Sequence, residues 1–220
     1  MTLEVINVET APNPTASIII LHGLGADGND FVPVAHELDL THVGPVRFVF
    51  PHGPTRPVTI NGGHVMRAWY DILGTDIARR EDEAGLRASQ ALVEALIAQE
   101  RARGIPASRI VLGGFSQGCA MTLMAGLRHS ERLAGLLGMS GYLPLADTTA
   151  AERNAANAGV PIFLAHGRSD PVIALARATA SRDALLALGY PVEWHDYPMP
   201  HSVCAQEIAD INRWLLKVLA

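Results

Sequence analysis

Ser116 stands in Gly114-Phe115-Ser116-Gln117-Gly118, between the apolar run Ile110-Val111-Leu112-Gly113 and the helix-forming stretch from Cys119 to Leu127. A serine at a sharp strand-to-helix turn has the setting of a nucleophile. Its backbone is strained, and side chains at the two flanking glycines would strike neighbouring elements. The turn also brings the hydroxyl to a helix N-terminus, whose N–H groups favour developing negative charge. The five-residue pattern alone recurs by chance, and an ordinary serine in a glycine-rich turn is the plain alternative. The strand before it and the helix after it are the context that nucleophilic chemistry demands.

Such a hydroxyl needs a base within hydrogen-bond reach and a carboxylate to orient that base. On this kind of turn the chain order is Ser, then Asp or Glu, then His. Two late histidines compete. His195 lies inside the strand pattern Val192–Tyr197, where a sheet-face or surface role is the default. His201 follows Pro198-Met199-Pro200 in a loop after a strand end, and is the expected base. Asp170, in His166-Gly167-Arg168-Ser169-Asp170-Pro171-Val172, is the expected acid. A helix N-cap ahead of Pro171 at the first helical position is its plain alternative. Asp147, in a polar loop, and Asp196, too early relative to its strand end, are weaker candidates.

Oxyanion donors are expected from the backbone N–H groups of Leu24, in Leu21-His22-Gly23-Leu24-Gly25, and of Gln117. The first stretch lacks the Gly-Lys-Ser/Thr ending of a phosphate loop, and His22 is expected to stabilise its loop. Trp69, within Asn61 to Asp71, either walls an acyl pocket as a substrate-binding residue or packs in the core. Cys119 is a rival nucleophile in principle, but it falls outside the elbow and reads as a small packing residue. His36-Glu37 has no second histidine at metal spacing, so neither metal nor cofactor is expected.

The elements that must position these residues alternate. Strands are expected at Leu3–Val8, Ser17–Leu21, Val46–Phe50, Arg109–Gly113, Leu133–Met139, Pro161–Ala165 and Val192–Tyr197. Blocks such as Ile18-Ile19-Ile20-Leu21 suit parallel strands covered on both faces. The clearest helix follows Glu81-Asp82, with Leu86, Ser89, Val93, Leu96 and Ile97 on one face and Gly104 and Pro106 as its stop. Others are expected at Gln117–His129, Val172–Leu188 and Val203–Leu219, with Asn61 to Asp71 in a long irregular region. The pattern predicts an α/β sandwich with a mostly parallel central sheet flanked by helices. In such sheets the active site lies at the carboxyl ends of the strands, where all three chosen residues fall.

At 220 residues the chain is expected to form one domain with a full core. A formal charge of −5 argues against nucleic acid, and the basic spots Arg79-Arg80 and Arg101-x-Arg103 read as solvated helix face. No apolar run approaches the roughly 20 residues of a membrane span. The acidic N-terminal stretch and two cysteines without disulfide spacing point to a cytoplasmic setting. The expected partner is a small-molecule ester, without stable membrane insertion; a homodimer is compatible with it. Rival classes are a non-catalytic binding protein and a thiol-based redox role for Cys119 or Cys204.

With these motifs in place, the chain resembles the carboxylesterase/acyl-protein thioesterase/lysophospholipase family of small α/β hydrolases, closest to its bacterial carboxylesterases. The resemblance is carried by Leu21 to Gly25, Met66-Arg67-Ala68-Trp69-Tyr70-Asp71, Gly114 to Gly118, His166-Gly167-x-x-Asp170 and His201-Ser202-Val203. It implies an α/β-hydrolase fold without a large cap domain. It also implies a Ser116–Asp170–His201 triad, with oxyanion donors at Leu24 and Gln117. Cys119, where a second glycine is frequent, and Pro200, where glycine often precedes the base, depart from the commonest pattern without removing a functional group. The expected substrates are short- to medium-chain carboxylic esters, with thioesters or lysophospholipids as the alternative and no strong interfacial activation.

Overall fold

The computed structural model describes residues 3–74 and 81–220, so Arg79 and Arg80 lie outside the described residues. Seven strands form one sheet: β1 (Val5–Glu9), β2 (Ala16–Leu21), β3 (Val46–Pro51), β6 (Ile110–Phe115), β7 (Gly135–Met139), β8 (Ile162–Gly167) and β9 (Val192–Tyr197). Their order is β1-β3-β2-β6-β7-β8-β9, all parallel except the antiparallel pair β1–β3. The two remaining strands, β4 (Thr55–Val58) and β5 (His64–Arg67), form a separate antiparallel hairpin.

Two-sided burial explains the continuous apolar blocks. In β2, Ile18 and Ile20 pack into one core cluster while Ile19 and Leu21 pack into the other. The Ile19 side is covered by α2 (Glu83–Ala102), α3 (Gln117–Gly126) and α5 (Leu175–Ala187). The opposite side is covered by α1 (Val32–Glu37) and α6 (Ala205–Val218), the latter through Ile211, Trp214 and Leu215. Each fully buried Leu, Ile or Val contributes about 1.5–3 kcal/mol of transfer free energy. The face predicted for α2 is buried, its first turn is capped by the Asp82 carboxylate, and Gly104 follows it at φ +95°. Arg101 and Arg103 are paired with Glu131 and Glu100.

Several elements depart from the expected boundaries. The region around Asn61 to Asp71 contains the β4–β5 hairpin rather than irregular chain alone. The helix expected from Val172 begins at Leu175, and the one expected to reach His129 ends at Gly126. Two short helices, α1 and α4 (Ala146–Glu152), add to those expected. Among the described residues no helix is long and apolar enough to cross a membrane.

The strand order reverses at β2. Its neighbours are β3 on one side and β6 on the other, and Leu21 pairs in register with Gly114. A crevice opens at such a switch point beyond the carboxyl ends of the strands. The His22–Leu24 loop and the Ser116 turn are therefore neighbours by topology.

Candidate active site

Ser116 occupies the turn between β6 and α3 at φ 56° and ψ −115°, a region unfavourable for a side-chain-bearing residue. Its amide donates to the carbonyl of Met139 on β7, 2.9 Å away. The flanking glycines are required by contact. A Cβ on Gly118 would lie 2.0 Å from the Leu21 carbonyl oxygen, and one on Gly114 would lie 2.3 Å from the Gly118 carbonyl carbon. All ten residues of α3 are buried, so the turn cannot relax by lifting the helix.

His201 and Asp170 arrive from the ends of β9 and β8. His201 Nε2 lies 3.0 Å from Ser116 Oγ, and His201 Nδ1 lies 2.6 Å from Asp170 Oδ2. A carboxylate only accepts, so the imidazole proton belongs on Nδ1, leaving the Nε2 lone pair toward the hydroxyl. The other carboxylate oxygen, Oδ1, accepts the amides of Val172 and Ile173 at 2.8 and 2.9 Å. The contact to His201 and the capping contacts are made by different oxygens. The capping is of a tight turn rather than of α5, whose first residue is Leu175.

His22 is buried and holds its loop. Its Nε2 accepts from the Gly53 amide at 2.9 Å, which puts the ring proton on Nδ1, 2.7 Å from the Gly23 carbonyl. Burial lowers its pKa below the usual histidine value, in keeping with a neutral ring. Trp69 is fully buried, and its indole N–H donates to the His22 carbonyl at 2.9 Å. Of the two roles left open for Trp69, the core role is the one observed. Its neighbours Tyr70 and Ile72 line the cavity instead.

The Gln117 side chain was missed by sequence reasoning, which used only its amide. Its Oε1 accepts the Trp69 amide at 3.0 Å and its Nε2 donates to the Tyr70 carbonyl at 2.9 Å. This ties the elbow to the segment after β5. A side chain that both donates and accepts, at the first position of a wholly buried helix, was the available signal. The hydroxyls of Tyr70 and Tyr142 also meet, at 2.7 Å, across 72 residues that no local pattern connects.

Ser116 opens onto a cavity of about 220 Å³ whose lining includes Leu24, Gln117, Ile60, Ile72, Val172 and Ile173. A larger, open groove of about 660 Å³ lies at the amino ends of β7, β8 and β9, between Leu133, Pro161, Val192 and Trp214. None of the residues singled out for chemistry lines it.

The rivals are placed elsewhere. His195 stacks on Phe163 and faces Glu193, Asp196 pairs with Arg168, and Asp147 lies in the first turn of α4. Burial pushes the Cys119 thiol up to about 12, which leaves essentially no thiolate at neutral pH. Among the described residues no group of three or more His, Cys, Asp or Glu is arranged to hold a metal ion.

The sequence profile of the phospholipase/carboxylesterase family matches residues 2–219. The chain belongs to this family. Like the family, it is a hydrolase, with the mostly parallel sheet and flanking helices of the α/β-hydrolase fold. It is 40% identical over 206 residues to acyl-protein thioesterase 1 of Yarrowia lipolytica, covering 91% of each chain. It is 41% identical to acyl-protein thioesterase 1 of Neurospora crassa over 93% of this chain and 87% of that one. The crystal structure of acyl-protein thioesterase 2 from Zea mays superposes with a TM-score of 0.88 at 29% identity, covering 99% of both chains.

Proposed function

We propose that this hydrolase is a serine carboxylesterase in which Ser116, His201 and Asp170 act as a triad on short- to medium-chain carboxylic esters. The observation that carries the reading is the hydrogen-bond series Ser116 Oγ–His201 Nε2 at 3.0 Å and His201 Nδ1–Asp170 Oδ2 at 2.6 Å, opening onto an apolar cavity. His201 takes the Ser116 proton as Oγ attacks the ester carbonyl. Protonated His201 then gives that proton to the leaving alcohol, and a water activated by His201 releases the acyl group from Ser116. Asp170 stabilises the imidazolium throughout.

The amides of Leu24 and Gln117 are proposed to receive the oxyanion. Both residues line the cavity beside Ser116. Gln117 begins α3, so its N–H is among those a helix leaves without an internal partner. Ile60, Ile72, Val172 and Ile173 supply an apolar wall for an acyl chain. A cytoplasmic setting belongs to the same proposal, supported by two free cysteines.

A second reading, thioester hydrolysis by the same residues, is favoured by the names of the fungal and plant relatives. Rates on oxyesters and thioesters with identical acetyl, butyryl and octanoyl groups separate the two. The esterase reading expects kcat/KM on the oxyesters to match or exceed that on the thioesters, without a jump above the substrate's solubility limit. Thioesters faster by tenfold or more at every chain length would shift the function to the second reading.

A further inference from the structure

His166, on β8 four residues before Asp170, is fully buried and has no part in the reaction described above. Its Nε2 lies 2.8 Å from the Ile173 carbonyl oxygen and 3.4 Å from Asp170 Oδ2. A carbonyl accepts only, so Nε2 carries the ring proton, and Nδ1 is buried without a hydrogen-bond partner among the described residues. Burial holds the ring below the ordinary histidine pKa, in keeping with this neutral form. An apolar side chain would fill the same space without leaving a nitrogen unpaired, so packing alone does not account for an imidazole here.

The bonds run in sequence. His166 N–H holds the Ile173 carbonyl, and the Ile173 amide holds Asp170 Oδ1. Asp170 Oδ2 is thereby turned to His201. Besides these bonds, the segment is held by the Val172 amide on Asp170 Oδ1 and by the buried Ile173 side chain, and His166 supplies the side-chain bond that fixes the Ile173 carbonyl. Regular helix starts only at Leu175, Pro171 has no amide to donate, and Val172 is 62% exposed. Val172 and Ile173 also line the cavity, so an acyl group seated there presses on the turn that carries the acid.

We propose that His166 is a positioning residue that pins the 170–173 turn and so keeps Asp170 aligned with His201 while the cavity is filled. The inference rests on Ser116, His201 and Asp170 acting as the triad.

His166→Gln and His166→Asn test it. The glutamine amide reaches the position of Nε2, whereas the asparagine amide stops near that of Nδ1 and cannot reach the Ile173 carbonyl. On p-nitrophenyl butyrate, kcat of the Asn variant is expected to fall about 10- to 100-fold, with KM within about twofold of wild type. The Gln variant should keep kcat within about threefold of wild type. The far-downfield proton resonance of a short His–Asp bond should be present in wild type and the Gln variant and be lost from the Asn variant. His166→Met replaces the Asn variant if that protein does not fold. Equal kcat and an equal resonance in the two variants, whatever their melting temperatures, would overturn the inference. Ser116→Ala is assayed alongside: activity surviving there sinks the triad reading itself, whereas its loss beside an unimpaired Asn variant sinks only the pin.

Discussion

Ser116 and Ile60 line the same cavity, yet the segments that deliver them differ in nearly every physical respect. Ser116 sits between a buried strand and a wholly buried helix, with a glycine contact that leaves no room for a methyl group. Ile60 sits on the β4–β5 hairpin, whose strands have four residues each and whose Ile60 and Val65 are 40% and 62% exposed. The hairpin is tethered by polar bonds, chiefly the Asp71 carboxylate accepting the Thr59 amide at 2.7 Å and its hydroxyl at 2.5 Å. Exposed polar tethers are worth far less than a packed core. The proposed nucleophile thus stands on rigid elements, whereas Ile60, one of the groups proposed to select the acyl chain, stands on a thin excursion. Changes at the elbow should abolish activity; changes at the hairpin should tune it.

The largest expected effect tests the rigid side. Asp170→Asn keeps the shape of the turn but inverts the tautomer logic of His201, and should lower kcat about 10⁴-fold with KM little changed. Steady-state kinetics on p-nitrophenyl butyrate read this directly. Gly118→Ala comes next. Its methyl would meet the Leu21 carbonyl oxygen at 2.0 Å, and urea unfolding should show a loss of about 3 kcal/mol or more together with most activity.

Smaller effects belong to the rim. Ile60→Ser or Val172→Ser should lower kcat/KM on octanoate about 3- to 10-fold relative to acetate, because only the longer chain reaches these side chains. An equal loss on both esters would erase the distinction between chemistry and selection. The smallest effect concerns His22, whose burial depresses its pKa below the ordinary 6.5. Below that pH the unfolded chain binds a proton that the folded chain refuses. Its contribution is therefore complete above pH 6.5 and is lost as pH falls toward the lower folded value. As pH falls below 6.5, wild type should lose stability relative to His22→Gln in denaturant titrations, and above pH 6.5 the difference between the two should not change with pH.

Legibility in the sequence followed the same division. Strands such as Ile18 to Leu21 were readable because burial on both faces demands unbroken apolar runs. The Ser116 turn was readable because its glycines are fixed by contacts the motif encodes. The hairpin was not: Pro57 stands in the middle of β4, opposite Val65, and neither strand has an apolar alternation to signal it. The start of α5 was misread because Pro171-Val172 suits a first helical turn, while Asp170 Oδ1 draws the next two amides into a tight turn of its own. Trp69 left a fair ambiguity, since an indole serves a pocket wall or a core equally well, and its full burial away from the cavity lining decides between them. Gln117 and His166 act through backbone atoms tens of residues away or around a turn, and nothing in residue type alone announces such a bond.

The central claim, that Ser116 is the nucleophile, is tested most directly by intact-mass measurement after exposure to a fluorophosphonate. Wild type should gain one phosphonyl group, mapped to Ser116, and lose p-nitrophenyl butyrate hydrolysis in step with labelling. Ser116→Ala should gain none and be inactive. A label on another residue, or hydrolysis undiminished in Ser116→Ala, would contradict the account.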